Sequence, residues 1–214
     1  MKQIRLVILI GMSGSGKDTI KDYLIKDGYK ELELFTTRPK RFDNESGYDF
    51  ISYEEYIEKM KNGIVLESRE YQIKTTGETW YYGTYIPDMS QVNDDDKYVV
   101  VSTIDSAKVI KEILGKESSK NDVIIRFIPL ILDLSYHERL KRILNRSNKS
   151  NYTKEEILKV LEREQKDDLL LKDTKSLGWY NRILIDPNQS SKQVYENVKY
   201  AIDYSFRTLC GHLF

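Results

Sequence analysis

Nine residues near the amino terminus, Gly11-Met12-Ser13-Gly14-Ser15-Gly16-Lys17-Asp18-Thr19, constrain this chain more than any other stretch. The apolar run Leu6 to Ile10 leads into them, and Ile20, Tyr23 and Leu24 follow at helical spacing until Gly28. This pattern reads as strand, glycine-rich loop and helix. The glycines let successive backbone N–H groups turn inward around phosphate oxygens. The helix N-terminus directs its positive end at the same place, and Lys17 adds a mobile cation for the β- and γ-phosphates. The loop is therefore suited to a nucleoside triphosphate, with Gly11, Ser13, Gly14, Ser15, Gly16, Lys17, Asp18 and Thr19 as its binding residues. Asp18 stands where the phosphate-loop pattern usually has a hydroxyl on Mg²⁺. Asp18 directly or through water, Thr19, or the nucleotide with water are the open alternatives for holding the ion.

A chain of 214 residues with 40% hydrophobic content can bury a proper core, and its length suits one α/β domain with inserted lobes. The formal charge is +0, from 34 basic and 34 acidic residues, so no global field draws in nucleic acid or an anionic membrane. Any anion site must be local. Cys210 is the single cysteine and cannot form an intramolecular disulfide, which fits a reducing cytoplasm. Lys2 and Arg5 precede an apolar run too short for a secretory signal, and no stretch approaches the roughly 18 apolar residues of a membrane span. The oligomeric state stays open, a homodimer included.

Beyond the first helix, Leu32 and Leu34 alternate with Glu31 and Glu33 as one short strand. It leads into an exposed, irregular basic segment, Thr36-Thr37-Arg38-Pro39-Lys40-Arg41. Ser52 with Glu55 marks a capped helix start, with Tyr53, Tyr56, Ile57 and Met60 as its apolar stripe and Asn62-Gly63 as its end. Ile64–Glu67 and Trp80–Tyr85 read as strands of a small sheet joined by a polar turn, Lys74–Thr79, which makes an inserted lobe. Asp94-Asp95-Asp96 reads as a solvated turn. The core then resumes with a strand at Tyr98–Val101, a helix through Ala107, Ile110 and Leu114 closed by Gly115, and a strand Val123–Ile128 ending before Pro129. Ser135 with Glu138 caps a helix whose Leu140, Ile143 and Leu144 face inward, leaving Arg139, Arg142 and Arg146 to project elsewhere. Ser147–Tyr152 reads as a loop and Thr153 with Glu156 as another helix start. Arg182–Ile185 is the last strand, and Val194, Val198, Ala201 and Ile202 mark a terminal helix. Alternating strands and helices imply a mostly parallel sheet covered on both faces.

Taken together, the phosphate loop, Thr36–Arg41, Gly47-Tyr48-Asp49-Phe50, Leu66-Glu67, Tyr81-Tyr82-Gly83-Thr84 and the pair Arg142 and Arg146 resemble the guanylate kinase family. The resemblance implies a phosphate-loop NTPase core (1–35, 93–146 and 171–214), an inserted nucleoside-monophosphate lobe (36–92) and a short lid (147–170). It implies transfer of the γ-phosphoryl group of ATP to GMP or dGMP with Mg²⁺. Arg38 and Arg41 correspond to the arginines that grip the monophosphate, and Tyr48 and Tyr82 to tyrosines that bond the same phosphate. Glu67 corresponds to the carboxylate that reads guanine, and Thr84 to the hydroxyl that binds the base. The resemblance implies Lys17, Arg38, Arg142 and Arg146 as the catalytic cations, with Asp18 as the candidate metal ligand. The residues support this chemistry on their own terms, since phosphoryl transfer asks mainly for alignment of two polyanions and neutralisation of charge. Guanine presents N1–H and a 2-amino group side by side to a carboxylate, whereas adenine offers a lone pair at N1 that it repels.

The chain also departs from the family. Leu34 occupies the place of a serine that bonds guanine, and Glu45 and Asn44 compete for the place of a glutamate. Ser102-Thr103-Ile104-Asp105 stands where an aspartate pair is usual, Val160 replaces a lid arginine with Arg163 nearly one turn on, and the insertion Lys74–Thr79 enlarges a loop beside Glu67 and Thr84. Three readings follow: a GMP/dGMP kinase, a related kinase for another or modified nucleoside monophosphate, and an inactive binding module of guanylate-kinase type.

Overall fold

A computed structural model of the protein describes residues 1–40, 43–45, 47–72, 77–145 and 180–211. Arg41, Arg146, the loop 147–152, the lid 147–170 with Val160 and Arg163, and the helix expected from Thr153 lie outside the described residues. The chain divides into two compact units, one of Met1–Ile4, Glu31–Asp96 and Val109–Ile125, the other of Arg5–Lys30, Lys97–Lys108 and Arg126–Phe214.

The five-stranded sheet is built around the apolar run that leads to the glycine-rich loop. β1 (Lys2–Gly11) pairs in parallel with β7 (Lys97–Ser102), from Arg5 opposite Lys97 to Ile10 opposite Ser102. β8 (Val123–Asp133) pairs in parallel with β9 (Asn181–Leu184), and β2 (Lys30–Glu31) completes the order β2-β7-β1-β8-β9. Leu6 through Ile10 are all at most 2% exposed, as a parallel strand flanked on both edges requires. Val7 and Leu9 of β1, Val99 of β7 and Ile128 and Leu130 of β8 share one core with two helices. These are α1 (Lys17–Lys26), through Ile20 and Leu24, and the C-terminal α5 (Ser191–Gly211), through Val194, Val198 and Ile202.

The second sheet is four-stranded, in the order β4-β3-β6-β5: β3 (Leu34–Thr36), β4 (Asp49–Phe50), β5 (Val65–Gln72) and β6 (Thr79–Tyr85). One face carries α2 (Tyr53–Lys61), whose Tyr56 lies against Phe35 and stacks on Tyr81 at 4.6 Å, while Phe35 stacks on Tyr85 at 5.0 Å. The Ser52–Glu55 capping box forms as expected, Ser52 Oγ accepting from Glu55 N–H and Glu55 Oε2 from Ser52 N–H. Of the expected stripe, Tyr56 is buried, whereas Tyr53 and Met60 are exposed at the margins.

Several expectations are corrected. Leu32 and Leu34 do not share a strand: residues 30–31 join the five-stranded sheet and 34–36 the four-stranded one, so the chain changes sheets between them. The segment after Leu34 is neither irregular nor exposed at its start, because Thr36 pairs within β3 and is 0% exposed. Gly115 does not close its helix: α3 (Ile104–Lys120) runs through it and ends before Asp122, which has φ 53°. Burial of Ile110 and Leu114 holds the turn that glycine propensity would release. Pro129 does not end β8; pairing with β9 begins at Leu130, so the missing N–H falls just before the ladder on that edge. Arg139 does not project outward from α4 (Tyr136–Asn145) but is 2% exposed, its Nε donating to Leu134 O at 3.1 Å, while Leu140, Ile143 and Leu144 are only half-buried. The hairpin of β5 and β6 pairs out to Gln72 opposite Thr79. Of the expected insertion Lys74–Thr79, residues 74–76 lie outside the described residues.

Candidate functional site

In the phosphate-loop unit, β1 ends at Gly11 and the loop turns at Gly14 and Gly16, with φ +80° and +93°. A Cβ at Gly14 would lie 2.8 Å from Arg139 O, so the loop is packed directly on the α4 backbone that buried Arg139 anchors. Gly16 caps α1 in the left-handed conformation with no side-chain cap bond, and the helix directs its positive N-terminal end at the loop. Lys17 Nζ donates to Met12 O at 2.8 Å, folding the ammonium back along the loop. Ser15 is 1% exposed and its Oγ has no hydrogen-bond partner among the described residues. Arg142 reaches the same place: its Nη1 would lie 3.7 Å from a Cβ on Gly16, and together with Ser15, Thr19, Gln189 and Ser191 it lines a shallow pocket beside the loop. Asp18 is the acidic residue of the first turn of α1, and both it and Thr19 are exposed. Among the described residues no group of three or more His, Cys, Asp or Glu could hold a metal ion by itself.

A second group of candidate residues occupies the face of the four-stranded sheet opposite α2. Residues directly opposite in antiparallel strands present their side chains on the same face. Leu34, Thr84 and Glu67 form one such row across β3, β6 and β5, and Thr36, Tyr82 and Arg69 form the next. Glu67 reaches this face through a bulge: the register steps from Val65 opposite Tyr85 to Glu67 opposite Thr84, with Leu66 as the extra residue. A regular ladder would set Glu67 opposite Gly83 and turn it towards α2. Glu67 is 7% exposed, and its Oε1 accepts from Thr84 Oγ1 at 2.9 Å while Arg69 Nε lies 3.5 Å from Oε2. Gly83 is required behind them, since a Cβ there would meet Glu67 O at 2.2 Å and the Phe35 ring at 2.5 Å.

Arg38 is buried at 4% exposure and forks onto Glu45, Nη2 donating to Oε1 at 2.8 Å and Nη1 to Oε2 at 3.2 Å. Nη1 also donates to Pro39 O at 2.7 Å. The hydrogen bonds to Glu45 raise the guanidinium pKa above its ordinary value, with a smaller contribution from the Tyr82 hydroxyl, so Arg38 is a permanent cation. Its Nε is buried without a partner among the described residues. An uncompensated donor on a buried cation is costly unless an anion arrives to accept from it. The Phe50 ring lies 5.4 Å below the guanidinium, and Tyr48 stands edge-on to Tyr82 at 5.9 Å with its own ring partly exposed. Of the two candidates for the glutamate position, it is Glu45 that meets Arg38.

The structure thus gathers Arg38, Tyr48, Tyr82, Glu67 and Thr84 in one unit, and the loop residues with Arg142 in the other; Arg41 and Arg146 lie outside the described residues. Two participants escaped sequence reading. Arg69 lies two residues beyond Glu67 on a strand, a spacing that puts both on one face, but no motif drew attention to it. Arg139 looks like a member of a surface arginine row until α4 is packed.

The family model for guanylate kinase matches residues 3–174. A protein of Mycoplasmopsis pulmonis (strain UAB CTIP) named guanylate kinase is 32% identical over 158 residues, covering 71% of this chain and 74% of its own. One of Mycoplasma mobile (strain ATCC 43663 / 163K / NCTC 11711) with the same name is 29% identical over 197 residues, covering 89% and 91%. The crystal structure of guanylate kinase from Anaplasma phagocytophilum superposes with a TM-score of 0.57 at 13% identity, over 93% of this chain and 84% of that one, which speaks to the fold.

Proposed function

The chain belongs to the guanylate kinase family, and from that premise we propose that it transfers the γ-phosphoryl group of ATP to GMP or dGMP, giving ADP and GDP or dGDP. The observation that carries the acceptor assignment is the buried Glu67 carboxylate fixed by Thr84 on the open face of the lobe sheet. A carboxylate held there accepts from N1–H and the 2-amino group of guanine and repels N1 of adenine. Arg38, with its unmatched Nε, takes the acceptor phosphate, and Tyr48 and Tyr82 line its approach. On the donor side, the loop amides at Gly14 to Lys17 hold the triphosphate, and Lys17 leaves Met12 O to reach the β- and γ-phosphates. Arg142 neutralises charge on the transferring group.

An ionised oxygen of the acceptor phosphate attacks the γ-phosphorus, and the bond to the ADP oxygen breaks. No general base is needed, because that oxygen is already deprotonated. The donor set suits Mg²⁺ brought in on the nucleotide, which would supply charge neutralisation across the β- and γ-phosphates, with Asp18 or Thr19 in the first turn of α1 offering it an oxygen. A cytoplasmic location goes with ATP as donor and with Cys210 as the sole cysteine.

Purified protein with ATP and Mg²⁺ is assayed against GMP, dGMP, IMP, AMP, CMP and UMP. GMP and dGMP are expected to be the best acceptors, IMP intermediate and AMP poor. A faster reaction with a pyrimidine or adenine nucleotide would overturn the guanine assignment, and no transfer to any acceptor would overturn the kinase.

A further inference from the structure

From the row geometry of the lobe sheet we infer that Arg69 is a specificity-determining residue that donates to the 6-oxo edge of the acceptor purine, next to the edge read by Glu67. This rests on the acceptor reading above.

Glu67, Arg69, Thr84, Tyr82, Leu34 and Thr36 occupy adjacent positions of two cross-strand rows on the side of the sheet away from α2. Thr84 and Arg69 contact the Glu67 carboxylate, and Leu34 lies opposite Thr84 on the far strand of the same row. The Thr84 hydroxyl hydrogen already points at Glu67 Oε1, so as a donor it is committed to the carboxylate. Leu34 brings hydrocarbon only. Arg69 is therefore the neighbour in these rows that brings several N–H donors beside Glu67, and a guanidinium carries five of them in a planar fork.

Its placement matches the chemistry of a 6-oxopurine. Arg69 Nε is 3.5 Å from Glu67 Oε2, and while the carboxylate side chain is 4% exposed, the arginine side chain is 46% exposed. The buried acceptor and the half-exposed donor thus lie side by side on this face. A 6-oxopurine presents N1–H and O6 as adjacent donor and acceptor, the complement of such a carboxylate–guanidinium pair, and O6 with N7 forms the edge an arginine fork takes bidentately. Adenine presents a 6-amino donor at the same point, which the guanidinium repels. Glu67 and Arg69 then divide the work. Glu67 reads N1–H and the 2-amino group, and Arg69 separates 6-oxo from 6-amino purines, supplying a donor on a face where Leu34 has none.

The test is a cycle between protein and substrate. Wild type, Arg69→Met and Arg69→Lys are assayed with saturating ATP and Mg²⁺ against GMP and 6-thio-GMP. The latter keeps N1–H, the 2-amino group and N7 but has a poor acceptor at position 6. In wild type, replacing oxygen by sulfur is expected to lower kcat/KM, and in Arg69→Met that penalty should largely vanish. Arg69→Met should lower kcat/KM for GMP by about tenfold to a hundredfold, the range for one bidentate base contact, through acceptor KM and with ATP KM unchanged. Arg69→Lys keeps the charge beside Glu67 without the fork and should fall between. If the arginine only stabilises the ionised carboxylate, Arg69→Met would lower GMP and 6-thio-GMP equally, shift the acid limb of the pH profile and be restored fully by lysine; that pattern overturns the inference. An active wild type with equal losses refutes Arg69 alone, whereas a wild type that does not phosphorylate GMP refutes the acceptor reading and this inference with it.

Discussion

Leu34 and Thr84 face each other across the β3–β6 pairing, so a hydrocarbon side chain lies beside the hydroxyl that donates to Glu67 Oε1 at 2.9 Å. One of the positions that depart from the family pattern is thus a direct neighbour of the pair proposed to read the base. Leu34→Ser should restore a donor there, and one neutral hydrogen bond is worth about 0.5–1.5 kcal/mol net. The expected outcome is a rise of a few-fold to about tenfold in GMP preference over AMP, read as the ratio of kcat/KM values. A ratio that stays put would remove Leu34 from the base site.

Lys17 packs no core; it is half-buried with its ammonium on Met12 O. Lys17→Met should leave the circular dichroism spectrum unchanged and lower kcat by at least about a hundredfold, the scale for removing one electrostatic contact to a transition state. Near-normal turnover by the folded variant would contradict the role assigned to the loop.

Gly83 is the position where the lobe sheet tolerates no side chain, because a Cβ would sit 2.2 Å from Glu67 O and 2.5 Å from Phe35. Gly83→Ala must push β5 or the Phe35 ring aside, and overpacking of this kind costs about 1–3 kcal/mol. A lowered Tm should come with a raised KM for GMP and little change in KM for ATP. A variant with unchanged Tm and acceptor KM would mean that this strand spacing is not fixed.

Asp27, at the end of α1, accepts from Tyr195 and Lys199 of α5, a contact that spans most of the chain. The Tyr195 hydroxyl first, and then Lys199, hold the carboxyl pKa below its ordinary 3.8, while the bond to Asp27 raises Lys199 above its ordinary 10.5. A depressed carboxylate contributes stability that is present above its unfolded pKa and lost as pH falls through the folded one. A raised lysine contributes stability that is present below its unfolded pKa and lost as pH rises through the folded one. The clasp therefore acts across the neutral range and fades at both extremes. Asp27→Asn should lower Tm at pH 7, with the gap to wild type closing as the pH falls below about 4. A gap independent of pH would show that packing alone joins these helices.

What the sequence determined by itself is what a few consecutive residues can encode. The phosphate loop, the capping box at Ser52, the end of α1 at Gly28 and the buried strands at Leu6–Ile10 and Tyr98–Val101 were legible because backbone conformation, cap bonds and apolar periodicity are short-range properties. Glu67 is put forward as the base-reading carboxylate on the same footing, from an ordered series of short patches. The tertiary structure decided which residues became neighbours. Glu67 meets Thr84 because the extra residue at Leu66 turns it from the α2 face to the open one, and alternation along β5 could not disclose that. Arg69 gains its meaning only from that register. Arg139 is buried because the loop at Gly14 packs on its backbone, Gly115 stays helical because Ile110 and Leu114 are buried, and β8 passes through Pro129 because its partner strand begins one residue later. In each case the local preference is worth at most a few kcal/mol, and packing between segments distant in the chain overrides it.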